Sequence, residues 1–360
     1  MSELSQINIH IQRHLFPALE EEMGVLSQKE QQFVRILELV EIQPFLSGLE
    51  WCGIGRPPSS RLAMANAFIA KAVWNIPTTK GLIDRIKASP SLRRICGWDC
   101  VSAVPDESIF SRAFATFALR ELPSNIHKAV VALHLGSHLC GHISRDSTAI
   151  VGREKPLKKK TEPKKAQKRG RPRKGEVRKQ KKRRLEEQPG RSLKKNLKAL
   201  PKPCDVGTKK NAKGYKESWV GYKLHLDVAD GDIPISGILT SASLHDSQAA
   251  IPLAQMTAER VTSLYDLMDA AYDAPEIHAF SKRLGHAPII DHNPRRGEKK
   301  QMDPPETSRY KERSSAERVN SNLKDNYGGR HVRVKGNKKV SCHLMFGLVA
   351  LTATQLFKML

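Results

Sequence analysis

The sequence has no Cys-x-x-Cys pair anywhere in its 360 residues. Its six cysteines are Cys52, Cys96, Cys100, Cys140, Cys204 and Cys342, and Cys96-x3-Cys100 has no His or Cys pair at ligand distance to complete a zinc site. They read as free thiols of a reducing compartment, which argues against a disulfide framework. The opening stretch MSELSQINIHIQRHLF lacks a basic region followed by an apolar run, so no signal peptide is expected. A bilayer-length apolar run is missing too. From Cys342 to Phe357 the chain is strongly apolar, but His343, Gly347 and Gln355 interrupt a run already short for a membrane span. A buried core helix is expected there, and no membrane partner.

Acidic charge is scarce, with 37 Asp and Glu against 61 Lys and Arg and a net charge of +24. The imbalance is local. Residues 152–218 hold 27 Lys and Arg against 7 Asp and Glu, a net +20, so the rest of the chain carries only +4. One concentrated basic block points to a polyanion such as nucleic acid rather than to a globally basic packaging protein. The block also contains almost no bulky apolar residues. Lys, Arg, Pro, Gly and Glu cannot bury enough surface to offset chain entropy, so disorder is expected throughout it.

The remaining chain has the ordinary hydrophobic content of a protein with a sizeable core, and its pattern changes along its length. Phe33, Ile36, Leu37 and Val40 recur at helical spacing, Leu62 to Trp74 is rich in helix formers, and further helices are expected near Lys80–Ile86 and Glu107–Phe117. The first 130 or so residues therefore read as all-α. A strand is expected from Gly141 to Val151, carrying Asp146, which strand propensity alone would disfavour. Tyr222, Leu224, Leu226 and Val228 alternate with polar residues, and Asp230-Gly231 makes a hairpin turn into a strand from Ile233 to Leu239. A helix follows from about Asp246 to Arg260; Asp246 reads most simply as its N-cap, with a role near an active site as the alternative. Strand Thr262–Met268 then delivers Asp269 at its end, with Asp266 as a competing carboxylate inside it. Strand Ala287–Ile290 and a polar loop, His292 to Arg296, lead into the last part.

From Tyr310 to Lys324 no Pro or Gly intervenes, and Gly328-Gly329 supplies a stop, so a helix is expected. At about 100° per residue, Tyr310, Arg313, Glu317 and Lys324 fall within about 60° of arc. Spacing alone leaves two readings open. One is a solvated charged face with i,i+4 pairs. The other is a carboxylate that binds a hard cation, flanked by cations that hold phosphate oxygens.

The pattern Tyr310-x2-Arg313-x3-Glu317-x6-Lys324 resembles the Tyr-Arg-Glu-Lys signature of the DDE transposases of bacterial insertion sequences, in all four residues and all three gaps. Asp146-Ser147-Thr148 and Asp269-x2-Tyr272-Asp273 are similar to that family's first and second catalytic segments, and Gly221-Tyr222-Lys223-Leu224-His225 to its second strand. The helical run from Gly55 to Phe114 is similar to the domain that precedes the family's catalytic core.

The resemblance implies an α/β, ribonuclease H-like core, a mixed sheet flanked by helices, over residues 136–151 and 219–360. It implies an all-α N-terminal domain over 1–135, with 152–218 as the disordered basic insertion. It further implies catalysis by Asp146, Asp269 and Glu317, which would hold two Mg²⁺ or Mn²⁺ ions for cleavage and transfer of DNA strands at the ends of an insertion sequence. Tyr310, Arg313 and Lys324 would contact DNA. The expected partners are element ends and target DNA, with a homodimer in the synaptic complex, in the bacterial cytoplasm and associated with the nucleoid. Inside the insertion, Arg169-Gly170-Arg171-Pro172 resembles an AT-hook: Gly permits close approach, Pro keeps the chain extended, and Arg meets the strong negative potential of a narrow minor groove.

Overall fold

Alternating apolar side chains and turn chemistry build one six-stranded sheet. The computed structural model describes residues 3–49, 53, 57–156, 182–210, 214–294 and 298–360. The strands are β1 (Leu139–Val151), β2 (Asp205–Lys210), β3 (Lys216–Ala229), β4 (Ile233–Ser241), β5 (Thr262–Met268) and β6 (Ala287–Ile290). Their order is β2-β3-β1-β5-β6, with β4 also paired to β3. β3 runs antiparallel to β1, β2 and β4, whereas β1, β5 and β6 run parallel to one another. The β3–β4 hairpin turns at Asp230–Asp232, where Gly231 (φ 77°) and Asp232 (φ 59°) take the left-handed backbone that Gly and Asp tolerate. An antiparallel meander continued by parallel strands, with helices on both faces, is the ribonuclease H-like arrangement expected above.

The helix Ser247–Ala258 covers one face, where Ala249 and Leu253 pack on Ile238. The helices Ser314–Asn326 and Asn337–Lys358 cover the other, in a core that includes Leu226, Ile235, Val319, Leu323 and Leu348. That core does not stop at the sheet. The Asn337–Lys358 helix is also packed by the N-terminal helices Gln28–Val40, Arg61–Val73, Glu107–Leu119 and Leu122–Leu135. Phe346 stacks on Phe68 with ring centroids 5.7 Å apart, and Phe117 meets Phe346 edge-on at 6.4 Å. The helix is long and apolar enough to cross a membrane by composition, but 83% of its apolar window is buried inside the protein. It is the core helix that the Cys342–Phe357 pattern suggested, and it joins the helical region to the sheet through one shared apolar core.

The basic block departs from the expectation of disorder over 152–218. Residues 182–210 form a short helix (Leu193–Ala199) and strand β2, docked against the sheet. Composition hid the few anchors: Leu197 and Leu200 join the Leu253 cluster, and buried Asn196 donates to the Gln188 carbonyl (3.0 Å) and to Gln255 (2.9 Å). One buried and one half-buried leucine, with the two hydrogen bonds of the Asn196 amide nitrogen, suffice to hold a short segment against an existing surface. The AT-hook-like residues Arg169, Gly170, Arg171 and Pro172 lie outside the described residues.

The expected uninterrupted helix from Tyr310 to Lys324 is also corrected. It is two helices, Pro304–Tyr310 and Ser314–Asn326, joined by a 3₁₀ turn at Lys311–Arg313. The cause is tertiary: Ser144 of β1 donates to the Glu312 carbonyl at 2.9 Å and so ties the turn to the sheet. The stop behaves as read, with Gly328 at φ 82° and the Gly329 N–H on the Leu323 carbonyl at 2.9 Å.

Candidate active site

Successive side chains on one face of β1 dock the segment that follows the turn. Because strand side chains alternate, Ser144, Asp146 and Thr148 share a face. Ser144 holds the Glu312 carbonyl, Asp146 accepts from Asn320 Nδ2 at 3.2 Å, and Thr148 Oγ1 accepts from Lys324 Nζ at 2.5 Å. Asn320 and Lys324 are one helical turn apart, so the strand and helix periods meet along this line.

β1 and β5 pair in parallel up to Arg145 opposite Met268. One residue further on each strand are Asp146 and Asp269, which are therefore neighbours at the sheet's centre. Asp269 begins a 3₁₀ turn, and its Oδ1 accepts from the Ala271 N–H at 2.9 Å. Glu317 sits on the first turn of the Ser314–Asn326 helix, with its carboxylate 2.6 Å from Arg313 Nη2. The Arg313 guanidinium lies 5.6 Å from the centre of the Tyr310 ring.

The electrostatics tie these groups together. Burial pushes the Asp146 carboxyl up to about 6; the Ser147 N–H and Arg313 oppose this, while Asp269 and Glu317 add to it by repulsion. The Asp269 carboxyl is raised as well, by burial first and then by Asp246 and Asp291, against the Ala271 N–H and Arg313. Burial pushes the Tyr310 hydroxyl up to about 12. Burial lowers the Lys324 ammonium, helped by repulsion from Lys209 and Arg330. Asp146, Asp269, Glu317 and Arg313 thus act on one another, with Tyr310 and Lys324 at the margins.

Asp266 is a different kind of carboxylate. It is 2% exposed and accepts from Ser281 (2.5 Å) and His286 (3.2 Å). Burial would raise its pKa, but His286, Arg145 and Ser281 hold it below the ordinary value. It is a structural group on the opposite side of β5. Asp246 also corrects the sequence reading, because it makes no capping hydrogen bond. Its carboxylate instead lies 2.9 Å from Lys223 Nζ, and it faces His225 and Ser147. Tyr272 of the Asp269-x2-Tyr272-Asp273 motif is 1% exposed, feels Asp246, Asp146 and Asp269, and its hydroxyl has no hydrogen-bond partner among the described residues. No sequence signal pointed to Asn320 as a contact of the site, since its partner Asp146 is 174 residues away.

The donor set suits a hard divalent cation: two largely buried carboxylates stand above their ordinary pKa, partly through repulsion by other carboxylates, which a cation would relieve. Among the described residues no three His, Cys, Asp or Glu side chains are gathered closely enough to hold a metal ion. The third carboxylate, Glu317, is engaged by Arg313 instead.

A ribonuclease H-like sheet with an acidic side chain within one central strand and another just past the end of its parallel neighbour defines a class of nucleic-acid-processing proteins. A family model described as "Transposase DDE domain" matches residues 146–353, and one described as "Transposase domain (DUF772)" matches residues 21–116. No curated protein and no solved structure matches the chain. The chain belongs to the DDE-domain transposases, a family of DNA-processing enzymes that use divalent metals.

Proposed function

We propose that this protein cuts and rejoins DNA strands at the ends of an insertion sequence, with Asp146, Asp269 and Glu317 as the ligands of two Mg²⁺ or Mn²⁺ ions. The observation that carries the reading is the β1–β5 register, which brings Asp146 beside Asp269 under the helix that bears Glu317. Bound divalent ions supply Lewis acidity to the scissile phosphate and lower the pKa of an attacking water.

The chain's own groups do the positioning. Asn320 orients Asp146 by its 3.2 Å hydrogen bond. Arg313 neutralises Glu317, and an arriving phosphodiester is a better bidentate partner for its guanidinium, so substrate binding frees the Glu317 carboxylate. Lys324, half-buried beside Thr148, offers a second cation to the same strand. Tyr310 stacks under Arg313 and fixes its direction. Synapsis of two ends requires two copies, and a homodimer on DNA in the bacterial cytoplasm, within the nucleoid, follows from that chemistry.

The test is an incubation of the protein with Mg²⁺, its element-bearing DNA and a labelled 3′-OH end. Label joined to target DNA supports the proposal. Cutting without joining would make it a nuclease of the same fold, and binding without either would make it a regulator derived from a transposase.

A further inference from the structure

The basic groups nearest the candidate site are not confined to the signature helix. Beyond Lys324, in the direction in which β1 runs, lies an open groove lined by Val151, Gly152, Arg153, Arg330, His331, Val332 and Arg333. Lys209 of β2 and Arg330 are close enough to depress the Lys324 ammonium by repulsion. Lys335 follows on the same loop. Arg153, Lys209, Arg333 and Lys335 are exposed and make no ion pair among the described residues. Two carboxylates interrupt the cluster. Asp325 pairs with Arg330, and Glu154 turns inward, accepting from the Tyr222 hydroxyl and, at 3.0 Å, from the Gly336 N–H. That last bond ties the loop after the Ser314–Asn326 helix to the end of β1, so three separate chain segments hold the cations on one supported surface.

The other end of β1 is different. There Arg318 pairs with Asp232 at 2.7 Å, His142 hydrogen-bonds Asp230 at 2.9 Å, and exposed Glu312 stands among the exposed cations Arg309 and Lys311. Cations and carboxylates are mixed at that end of the strand, whereas Arg153, Arg333 and Lys335 at the other make no ion pair among the described residues.

We propose that this surface is the docking track for the duplex that flanks the scissile phosphate, running from Lys324 past Arg330 to Arg153, Arg333 and Lys335. From Asp146 to Val151, where the strand ends, is five residues, about 17 Å at roughly 3.3 Å per residue. At about 3.4 Å per base pair that spans about five base pairs, a length over which isolated cations meet successive phosphates of one groove edge. The inference rests on the proposed function only for the position of the scissile phosphate; the preference for a duplex polyanion rests on the charge asymmetry.

The experiment measures binding of the full-length protein to a random-sequence duplex of about 30 base pairs across a range of salt. Three proteins are compared: the parent, Arg153→Ala/Arg333→Ala/Lys335→Ala, and a control with equal charge loss elsewhere, Lys128→Ala/Lys194→Ala/Lys282→Ala. The slope of log K against log salt should fall by about 0.9 per lost contact, nearly 3 in the track variant, and hold in the control. An Arg153→Glu/Arg333→Glu variant should lose more slope than its two substitutions to Ala. Equal slopes in track and control variants overturn the proposal. Mg²⁺-dependent cleavage is measured in parallel on a duplex that carries the element end: a parent that binds but never cuts it undermines the proposed function, while the slopes still decide the track.

Discussion

On one face of β1, Arg145 is enclosed with Asp227. Its Nε and Nη2 meet the two carboxylate oxygens at 2.7 and 2.8 Å, and Thr257 donates to the same carboxylate at 2.6 Å. Burial opposes the Arg145 charge, but Asp227 and Asp266 override it, so the guanidinium stays more firmly protonated than usual. On the other face, one residue along, Asp146 accepts from the Asn320 amide and the Ser147 N–H, and the Arg313 cation that acts on it is shared with Glu317. Both faces bury charge. One is neutralised by the chain itself and so acts as a fastener between β1 and β3, while the other is left short of positive charge, as the proposed metal site requires. Burial raises the Asp227 carboxyl even against Arg145 and Thr257, whereas along β5 Asp266 is held below its ordinary pKa and Asp269 above it. A carboxylate's role is thus set by what faces it, and three residues of sequence separate opposite roles.

Breaking the proposed metal site should have the largest effect on activity. Asp146→Asn, Asp269→Asn and Glu317→Gln keep shape and remove charge, so each should lower Mg²⁺-dependent cleavage on the order of a thousandfold, the equivalent of several kcal/mol of charge stabilisation. Gel-shift affinity for DNA should change little. Cleavage within a few fold of the parent in any one of them would remove that residue from the site.

Breaking the fastener should do the reverse. Arg145→Leu leaves Asp227 buried without its partner and should cost about 3 to 5 kcal/mol, seen as a lower urea midpoint, whereas Arg145→Met with Asp227→Leu should recover part of the loss. If Arg145→Leu leaves the midpoint unchanged, the pair is not a fastener. Asp266→Asn belongs with this group: it should weaken folding while leaving per-molecule cleavage intact.

A sharper contrast comes from pH. The Asp146 carboxyl titrates at about 6 when folded against an ordinary 3.8, so the native state binds the extra proton and stability falls as pH rises between those values. Asp146→Asn removes that penalty. It should stabilise the protein by up to about 3 kcal/mol above pH 6, at about 1.4 kcal/mol per unit, and by nothing below about pH 4. Equal melting temperatures for the variant and parent at pH 8 would count against a charge-starved site.

The smallest effect concerns the basic stretch 157–181, which carries 13 Lys and Arg against 2 Glu. Arg169→Ala with Arg171→Ala should flatten the salt slope by about 2 and weaken binding to A·T-rich duplex more than to G·C-rich duplex. Equal losses on both duplexes would leave only a phosphate-binding role.

Strands around Asp146 and before Asp269, the Asp230-Gly231 turn, and the buried C-terminal helix were legible because each is written in local periodicity or turn chemistry. What was not legible depends on distant partners. Ser144 bends the Tyr310–Lys324 segment at Glu312 across 168 residues, Lys223 draws the Asp246 side chain away from the capping position it was assigned, and Leu197 with Asn196 anchors part of a block whose composition reads as disordered. Nor does periodicity reveal that Phe346 belongs to the same aromatic cluster as Phe68 and Phe117. The three carboxylates stood out only through a family resemblance; the charge balance that separates Asp269 from Asp266 exists only once β5 is paired with β1 and β6.

The central claim is that the Asp146 face of β1 takes up a divalent cation. Mn²⁺ binding followed by loss of its free EPR signal tests this without DNA or turnover, in the parent and in Asp146→Asn, Asp269→Asn and Asp266→Asn. The account predicts Mn²⁺ uptake by the parent and by Asp266→Asn, and its loss in Asp146→Asn and Asp269→Asn; unchanged uptake in both of the latter would contradict it.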